Sequence, residues 1–115
     1  MTGSGPPLLL VHGLGSSRKV WRPIADRLSK DFTTIAVDLL GHGDSDWLDP
    51  APDKFHPADH AASLKPLIDD FSDGAIGVVG NSMGGWIGLE IAANGWASSA
   101  TALCPAGLEF EPWVT

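Results

Sequence analysis

A serine lies at the junction between two segments of different periodicity. Residues 75–79 form an apolar run of strand length, and residues 83–93 carry a helix-compatible pattern. Between them stands the pattern Gly-x-Ser-x-Gly, written Gly80-Asn81-Ser82-Met83-Gly84. A strand that enters a helix through one residue must bend sharply, and side chains two positions before and after that residue would collide. The pattern therefore predicts an exposed Ser82 hydroxyl at the start of a helix, held by two glycines.

The rest of the chain alternates between strand-like and helix-like segments. Three further runs have strand length, at residues 8–11, 32–38 and 100–103. Amphipathic spacing predicts helices over residues 17–29 and 58–71, and Pro23 favours a later start for the first of them. This alternation predicts an α/β fold, with a parallel sheet of about four strands flanked by helices on both faces.

Composition narrows the class of partner. The chain has 115 residues, enough for one domain, and its net charge of -7 disfavours nucleic acid or an anionic membrane surface as a partner. Cys104 is the single cysteine, so an internal disulfide and a cysteine-based zinc site are both excluded. The amino-terminal residues lack the features of a secretion signal, and no run approaches the roughly 20 apolar residues of a membrane span. We expect a cytoplasmic protein without a membrane span.

Three motifs follow one another along the chain. They are Leu9-Leu10-Val11-His12-Gly13-Leu14-Gly15, Asp38-Leu39-Leu40-Gly41-His42-Gly43-Asp44-Ser45 and Val79-Gly80-Asn81-Ser82-Met83-Gly84-Gly85. With these motifs the chain resembles the serine-nucleophile branch of the α/β-hydrolase family, and the likeness to its amino-terminal half runs from Leu8 to about Gly107. The resemblance implies that the first predicted strand lies between the second and the third, with the fourth outside the third.

The resemblance also implies a site. Ser82 matches the nucleophile, and the backbone N–H groups of Leu14 and Met83 match the two donors of an oxyanion hole. Supporting positions in the loop and the turn are His12, Gly13, Gly15, Gly80 and Gly84. The implied substrate is a small molecule with a carboxylic ester or related acyl bond, and no metal or cofactor is implied. A serine here argues against the dehalogenase and epoxide-hydrolase branches, whose nucleophile is an aspartate.

One feature departs from the family pattern. Family members carry the triad in the order Ser, then Asp or Glu, then His, yet all 4 histidines here precede Ser82. We therefore expect residues 1–115 to be a single partial domain, truncated before the cap region and the carboxy-terminal strands, and inactive without the missing base and acid. The alternative is a non-catalytic remnant or an interaction module, which would pair its exposed fourth strand with another chain. The oligomeric state stays open.

The four histidines have simpler expected roles than catalysis. His12 and His42 lie in glycine-rich turns and are expected to shape them, whereas His56 and His60 are expected to be solvated. Asp38, His42, Asp44 and Asp46 could together suggest a metal site. A tight turn that uses Asp and Ser side chains to satisfy its own backbone is the favoured interpretation of that segment.

Overall fold

The computed structural model describes residues 2–43, 45, 56–71 and 76–105. The strands are β1 (Thr2–Gly3), β2 (Pro7–Val11), β3 (Thr33–Val37), β4 (Gly77–Asn81) and β5 (Ser99–Leu103). The helices are a 3-10 helix (Arg18–Trp21), α1 (Arg22–Leu28), α2 (Pro57–Phe71) and α3 (Met83–Ala93).

The strands form one five-stranded sheet in the order β1-β3-β2-β4-β5. Strands β3, β2, β4 and β5 are mutually parallel, which confirms the predicted α/β sheet and the central place of its first long strand. The short β1 was not predicted; it pairs antiparallel to β3, with Thr2 opposite Thr34. Its Thr-Gly sequence carries no strand signal, so its pairing depends on the edge that β3 offers.

Helices cover both faces of the sheet, as predicted. Leu9 and Val11 of β2 pack into a cluster with α2 and α3, whereas Leu8 and Leu10 pack on the opposite face against Trp21 of the 3-10 helix. Because β2 is buried on both faces, its sequence is a continuous apolar run rather than an alternating one. Each fully buried leucine contributes about 1.5–3 kcal/mol relative to an exposed one.

The first helical segment begins in two steps. The Ser17 hydroxyl accepts a hydrogen bond from Lys19 N at 3.3 Å and so caps the 3-10 helix. Helix α1 then starts at Arg22, which places Pro23 in its first turn. A proline costs little there because an N–H in the first turn has no intrahelical acceptor. The later start that Pro23 favours is therefore what the structure shows.

Strand β4 is shifted relative to its prediction. It runs from Gly77 to Asn81 rather than from residue 75 to residue 79. Pairing with the neighbouring strands sets this register, since Asn81 lies opposite Leu103 of β5. The shift matters for the site because the strand now ends directly before Ser82. The sequence also predicts that Asp73-Gly74 ends the second helix, and these two residues lie outside the described part of the chain.

None of the helices in the described part of the chain is long and apolar enough to cross a membrane.

Candidate active site

Ser82 occupies the bend between β4 and α3. Its backbone has φ 56° and ψ -118°, a conformation in which glycine is the usual residue. Ser82 N donates to the carbonyl oxygen of Leu103 at 2.9 Å, and its own carbonyl accepts from Gly85 N and Trp86 N at 3.0 and 3.2 Å. The residue is exposed. The bend is thus a strained conformation that the surrounding hydrogen bonds hold in place.

The two glycines of the motif are required by close backbone contacts. A Cβ at Gly80 would lie well under 3.0 Å from the carbonyl group of Gly84. A Cβ at Gly84 would come just as close to the carbonyl oxygens of Val11 and His12. Backbone atoms cannot move away as the end of a flexible side chain can. Neither Gly80 nor Gly84 therefore has room for a side chain. The start of α3 is therefore pressed against the end of β2.

The glycine loop after β2 forms a tight turn beside the serine. Ser16 N donates to Gly13 O at 3.1 Å, and Gly15 has φ 75°, the value that the third residue of a type II turn requires. Leu14 lies at the second position with its side chain 75% exposed. A Cβ built on Gly13 would be 3.3 Å from Ser82 Cβ and 3.8 Å from Ser82 Oγ. The loop and the serine are therefore direct neighbours.

His12 connects the glycine loop to the segment that follows β3. Its side chain is fully buried, its Nε2 accepts the backbone N–H of Leu39 at 3.0 Å, and its Nδ1 lies 2.7 Å from Gly13 O. Burial lowers the pKa of His12 below 6.5, and nearby His42 lowers it further; the bond to Gly13 O and the Asp38 carboxylate act in the opposite direction. A neutral ring satisfies this pattern.

Asp38 holds the segment after β3 in place through contacts with Arg18 and Ser45. Its carboxylate accepts Arg18 N at 2.7 Å and also pairs with the Arg18 guanidinium, while the Asp38 carbonyl accepts from the Ser45 hydroxyl at 2.7 Å. The use of a serine side chain to satisfy this turn's backbone agrees with the prediction for the segment. Within the described residues no three potential metal ligands come together; Asp44 and Asp46 of the considered metal site lie outside those residues.

The remaining histidines differ from one another in burial. His56 is exposed, as expected, and its Nδ1 accepts Ala58 N at 3.0 Å at the start of α2. The expectation that His60 is solvated is wrong, since only 3% of it is exposed. His60 lies one turn before Leu64, on the face of α2 that meets the sheet. Burial lowers the pKa of His60 below 6.5. His42 packs its ring 5.1 Å from that of His12.

Sequence reasoning missed one aromatic contact near the serine. The Trp86 ring lies 5.0 Å from the His56 ring in an edge-on arrangement. Its indole N–H donates to Glu90 at 3.2 Å. Trp86 follows Ser82 by one helical turn, a spacing that could have indicated proximity to the site.

Comparison with known proteins places these features in a family. The family model described as the alpha/beta hydrolase fold matches residues 6–110. The chain belongs to the α/β-hydrolase family. The bend at Ser82 and the glycine loop beside it thus lie within the matched part of an α/β-hydrolase.

Curated relatives carry hydrolase names of several kinds. A 2-(acetamidomethylene)succinate hydrolase from Mesorhizobium japonicum is 43% identical over 83 residues, covering 71% of this chain and 28% of that protein. A soluble epoxide hydrolase from Corynebacterium sp. strain C12 is 36% identical over 90 residues, covering 78% of this chain and 30% of that protein. Relatives named as a lipase and an esterase also match. The names agree on hydrolysis and differ in the bond that is broken.

Solved structures show the same relationship. The crystal structure of an E-2-(acetamidomethylene)succinate hydrolase matches with a TM-score of 0.77 and 37% identity, over 86% of this chain and 37% of that one. The chain spans between a quarter and a third of the length of such relatives. It covers 26% of a protein from Mycobacterium bovis and 33% of a lipase from Mycobacterium tuberculosis.

The geometry around Ser82 indicates what chemistry the candidate site can perform. Ser82 lies at the amino-terminal end of α3, where the helix dipole favours negative charge and the first N–H groups lack intrahelical acceptors. Met83 is the first residue of that helix. An exposed hydroxyl beside such amides, with a second loop close to it, is suited to attack on a carbonyl carbon.

Proposed function

We propose that the chain is part of a serine hydrolase that acts on a carboxylic ester or related acyl bond of a small molecule, with Ser82 as its nucleophile. The observation that carries the proposal is the backbone of Ser82, whose φ of 56° is retained although serine adopts it at a cost. A strained non-glycine residue at an exposed bend is a frequent mark of a functional position. The family match supports hydrolysis in general.

In the proposed reaction, Ser82 Oγ attacks the carbonyl carbon of the ester and transfers its proton to a base. The resulting oxyanion accepts hydrogen bonds from the N–H groups of Leu14 and Met83. The C–O bond to the alcohol then breaks as the alcohol oxygen receives the proton, leaving an acyl group on Ser82. Water hydrolyses that acyl ester by the same steps. Each oxyanion donor is expected to supply about 100- to 1,000-fold in rate.

The base and the acid are proposed to come from a longer chain, beyond Thr115. Among the four histidines, His12 and His60 are buried, and His42 Nδ1 lies 3.0 Å from Leu40 O. His56 is exposed, but its Nδ1 caps α2. Loss of the base alone costs about a millionfold in kcat in a serine protease. Residues 1–115 alone are therefore expected to be almost inactive.

Serine chemistry separates this proposal from epoxide opening. An epoxide hydrolase of this fold uses a carboxylate nucleophile at the turn, and this chain carries a hydroxyl there instead. A serine esterified by an acyl group is readily hydrolysed, whereas an ether formed by attack on an epoxide is not. The cytoplasm is the proposed location, since a reducing compartment suits the exposed and unpaired Cys104.

Labelling with a fluorophosphonate tests the nucleophile. The probe should modify Ser82, as located by mass spectrometry, in this chain slowly and in a longer parent rapidly. Ser82→Ala should abolish labelling, and the matched control Ser4→Ala, at an exposed serine before the start of β2, should not. Absence of labelling at Ser82 in both proteins would contradict the assignment. A Ser82-dependent ester turnover by residues 1–115 at the rate of a complete hydrolase would contradict the proposed need for a longer chain.

A second candidate function rests on β5. It is the last strand in the sheet order, and its exposure alternates, with Ser99, Thr101 and Leu103 all exposed. An edge of this kind can pair with a strand of another chain. In that case the chain would associate in solution, and Leu103→Lys should weaken the association measured by light scattering. A monomer at all concentrations would exclude this candidate.

A further inference from the structure

Positive charge is concentrated in one short segment of an acidic chain. Of the 7 lysine and arginine residues, five lie within residues 18–30, where Asp26 is the only acidic residue. The five are Arg18, Lys19, Arg22, Arg27 and Lys30, and all of them are at least partly exposed. The net charge of the whole chain is -7, so this segment produces a local positive potential that the overall charge does not reveal.

Three of these cations line one cavity. Arg18, Lys19 and Arg22 border a space of about 400 Å³ between the first helical segment and β3. A volume of this size is typical of sites for small molecules. Arg18 is paired with Asp38, whereas no carboxylate of a described residue lies within ion-pair distance of Lys19 or Arg22. Two cations of the cavity are therefore available to a ligand.

The wall of the cavity also contains a buried donor without an acceptor. Trp21 lines the cavity and is only 3% exposed, and its ring packs with Leu8 and Leu10 of β2. The indole N–H of Trp21 is buried and donates to no acceptor in the described part of the chain. Most buried polar groups have a partner, because an unpaired one destabilises the fold. An acceptor brought in by a ligand would therefore be favourable at this N–H.

We propose that this cavity binds a small organic anion, whose charged oxygens contact Lys19 and Arg22 and accept the N–H of Trp21. Ala25 of α1 and Ala36 of β3 also line the cavity, which suits an anion with a small apolar body. The indole nitrogen is closed to solvent, so a ligand oxygen reaches it once the exposed side chains of the cavity have reoriented.

This site is separate from the site of the proposed reaction. Neither Ser82 nor any residue of the glycine loop lines the cavity, so binding there does not depend on the chemistry at the serine. Asp26 does line the cavity, and its carboxylate opposes the binding of an anion. The opposed effects of Asp26 and Arg22 on binding make the proposal testable in two directions.

An NMR titration of the 115-residue chain with phenyl phosphate tests the site. Trp21→Phe identifies the signal of the Trp21 indole N–H, which should move downfield and saturate as the N–H gains an acceptor. Benzoate is titrated in parallel, because a carboxylate and a phosphate share this chemistry; the ligand with the lower dissociation constant identifies the preferred charged group. Phenol is uncharged at neutral pH and should leave the signal unchanged. The absence of a saturable movement with both anions, or an equal movement with phenol, would overturn the proposal.

Charge variants distinguish a defined site from general attraction to the basic segment. Arg22→Gln should raise the dissociation constant about tenfold, as expected for one lost charge-assisted hydrogen bond. Arg27→Gln is the matched control, at an exposed arginine of α1 that does not line the cavity, and should change it less than about twofold. Equal effects of the two variants would overturn the proposal.

Asp26→Asn provides a test that a loss of folding cannot imitate. Removal of this carboxylate should lower the dissociation constant for phenyl phosphate about threefold, because a like charge near the bound anion is lost. The gain should shrink in high salt, since the Asp26 side chain is exposed. An Asp26→Asn variant that binds the anion no more tightly than the wild type would count against the site.

Discussion

Ser82 N donates a hydrogen bond to the carbonyl oxygen of Leu103 across 2.9 Å. Leu103 is the last residue of β5, so the bend that carries the serine depends on the last strand of the described sheet as well as on its own strand. The unusual backbone of Ser82 is thus held in part by a partner that is remote in sequence. Perturbations of that backbone are expected to appear in both stability and reactivity.

Substitution of Gly84 should unfold or severely destabilise the chain. In Gly84→Ala the new methyl group would meet the carbonyl oxygens of Val11 and His12, and we expect a loss of about 3 kcal/mol or more in the free energy of unfolding. Gly88→Ala is the matched control one turn later, where a Cβ would meet the Val78 side chain at 3.1 Å. It should change stability by no more than about 1 kcal/mol. Urea denaturation followed by tryptophan fluorescence measures both, and equal losses would contradict the close approach.

Strain at Ser82 should be visible in a pair of variants. Both Ser82→Gly and Ser82→Ala remove the hydroxyl, but only glycine adopts φ 56° and ψ -118° without steric cost. We expect Ser82→Gly to be more stable than Ser82→Ala by about 1 kcal/mol, after the greater freedom of glycine in the unfolded chain is included. Thermal and urea unfolding of the two variants would check this. An alanine variant of equal or greater stability would show that the bend is relaxed.

The Arg18–Asp38 pair should contribute more to stability than an exposed ion pair. The Asp38 side chain is 4% exposed and also accepts a backbone N–H, so Asp38→Ala should cost about 2–3 kcal/mol in unfolding free energy. Asp69→Ala removes a partner of Lys65 that is 59% exposed, and should cost about 0.5 kcal/mol or less. The effect of Asp38→Ala should persist in high salt, whereas that of Asp69→Ala should vanish. Similar costs for the two variants would contradict the larger contribution expected of the buried Asp38 pair.

Acid should destabilise the chain through its buried histidines. The pKa values of His12 and His60 are lowered in the folded state, so the unfolded state binds protons more readily as the pH falls below about 6.5. Their contribution to stability is therefore complete above that pH and is lost as the pH falls towards the lowered values. Unfolding free energies at pH 7.5 and 5.5 should differ less in His60→Gln than in the wild type, and His56→Gln should behave as the wild type. An unchanged difference in His60→Gln would contradict this account.

The order of elements could be predicted because local patterns and the fold agree along most of the chain. The apolar run of β2 and the glycine spacing around Ser82 each reflect a constraint that acts within a few residues. The end of β4 could not be placed, because pairing of Asn81 with Leu103 of another strand sets it. The burial of His60 was missed for a similar reason. A polar residue beside the apolar face of α2 does not indicate how far the sheet extends over that face.

The neighbours of the candidate site could be predicted only in part. The motifs indicate that the glycine loop and Ser82 follow adjacent strands, whose carboxyl ends share one edge of the sheet. They give no indication that His12 accepts a hydrogen bond from the backbone N–H of Leu39. Every residue except proline has such an N–H, so the sequence does not show which one a side chain will meet. Contacts of this kind depend on how two loops meet and become visible only in three dimensions.

The approach of Gly84 to the carbonyl oxygen of Val11 also bears on the order of events in folding. Gly85 N and Trp86 N hold the bend locally, but its packing partners lie in β2 and the acceptor of Ser82 N lies in β5, so the complete bend needs contacts that are remote in sequence. Closing such long loops is entropically expensive and proceeds late. The Ser82 hydroxyl is therefore expected to reach its native position only after the strands have paired, so labelling of Ser82 would report completion of the native state.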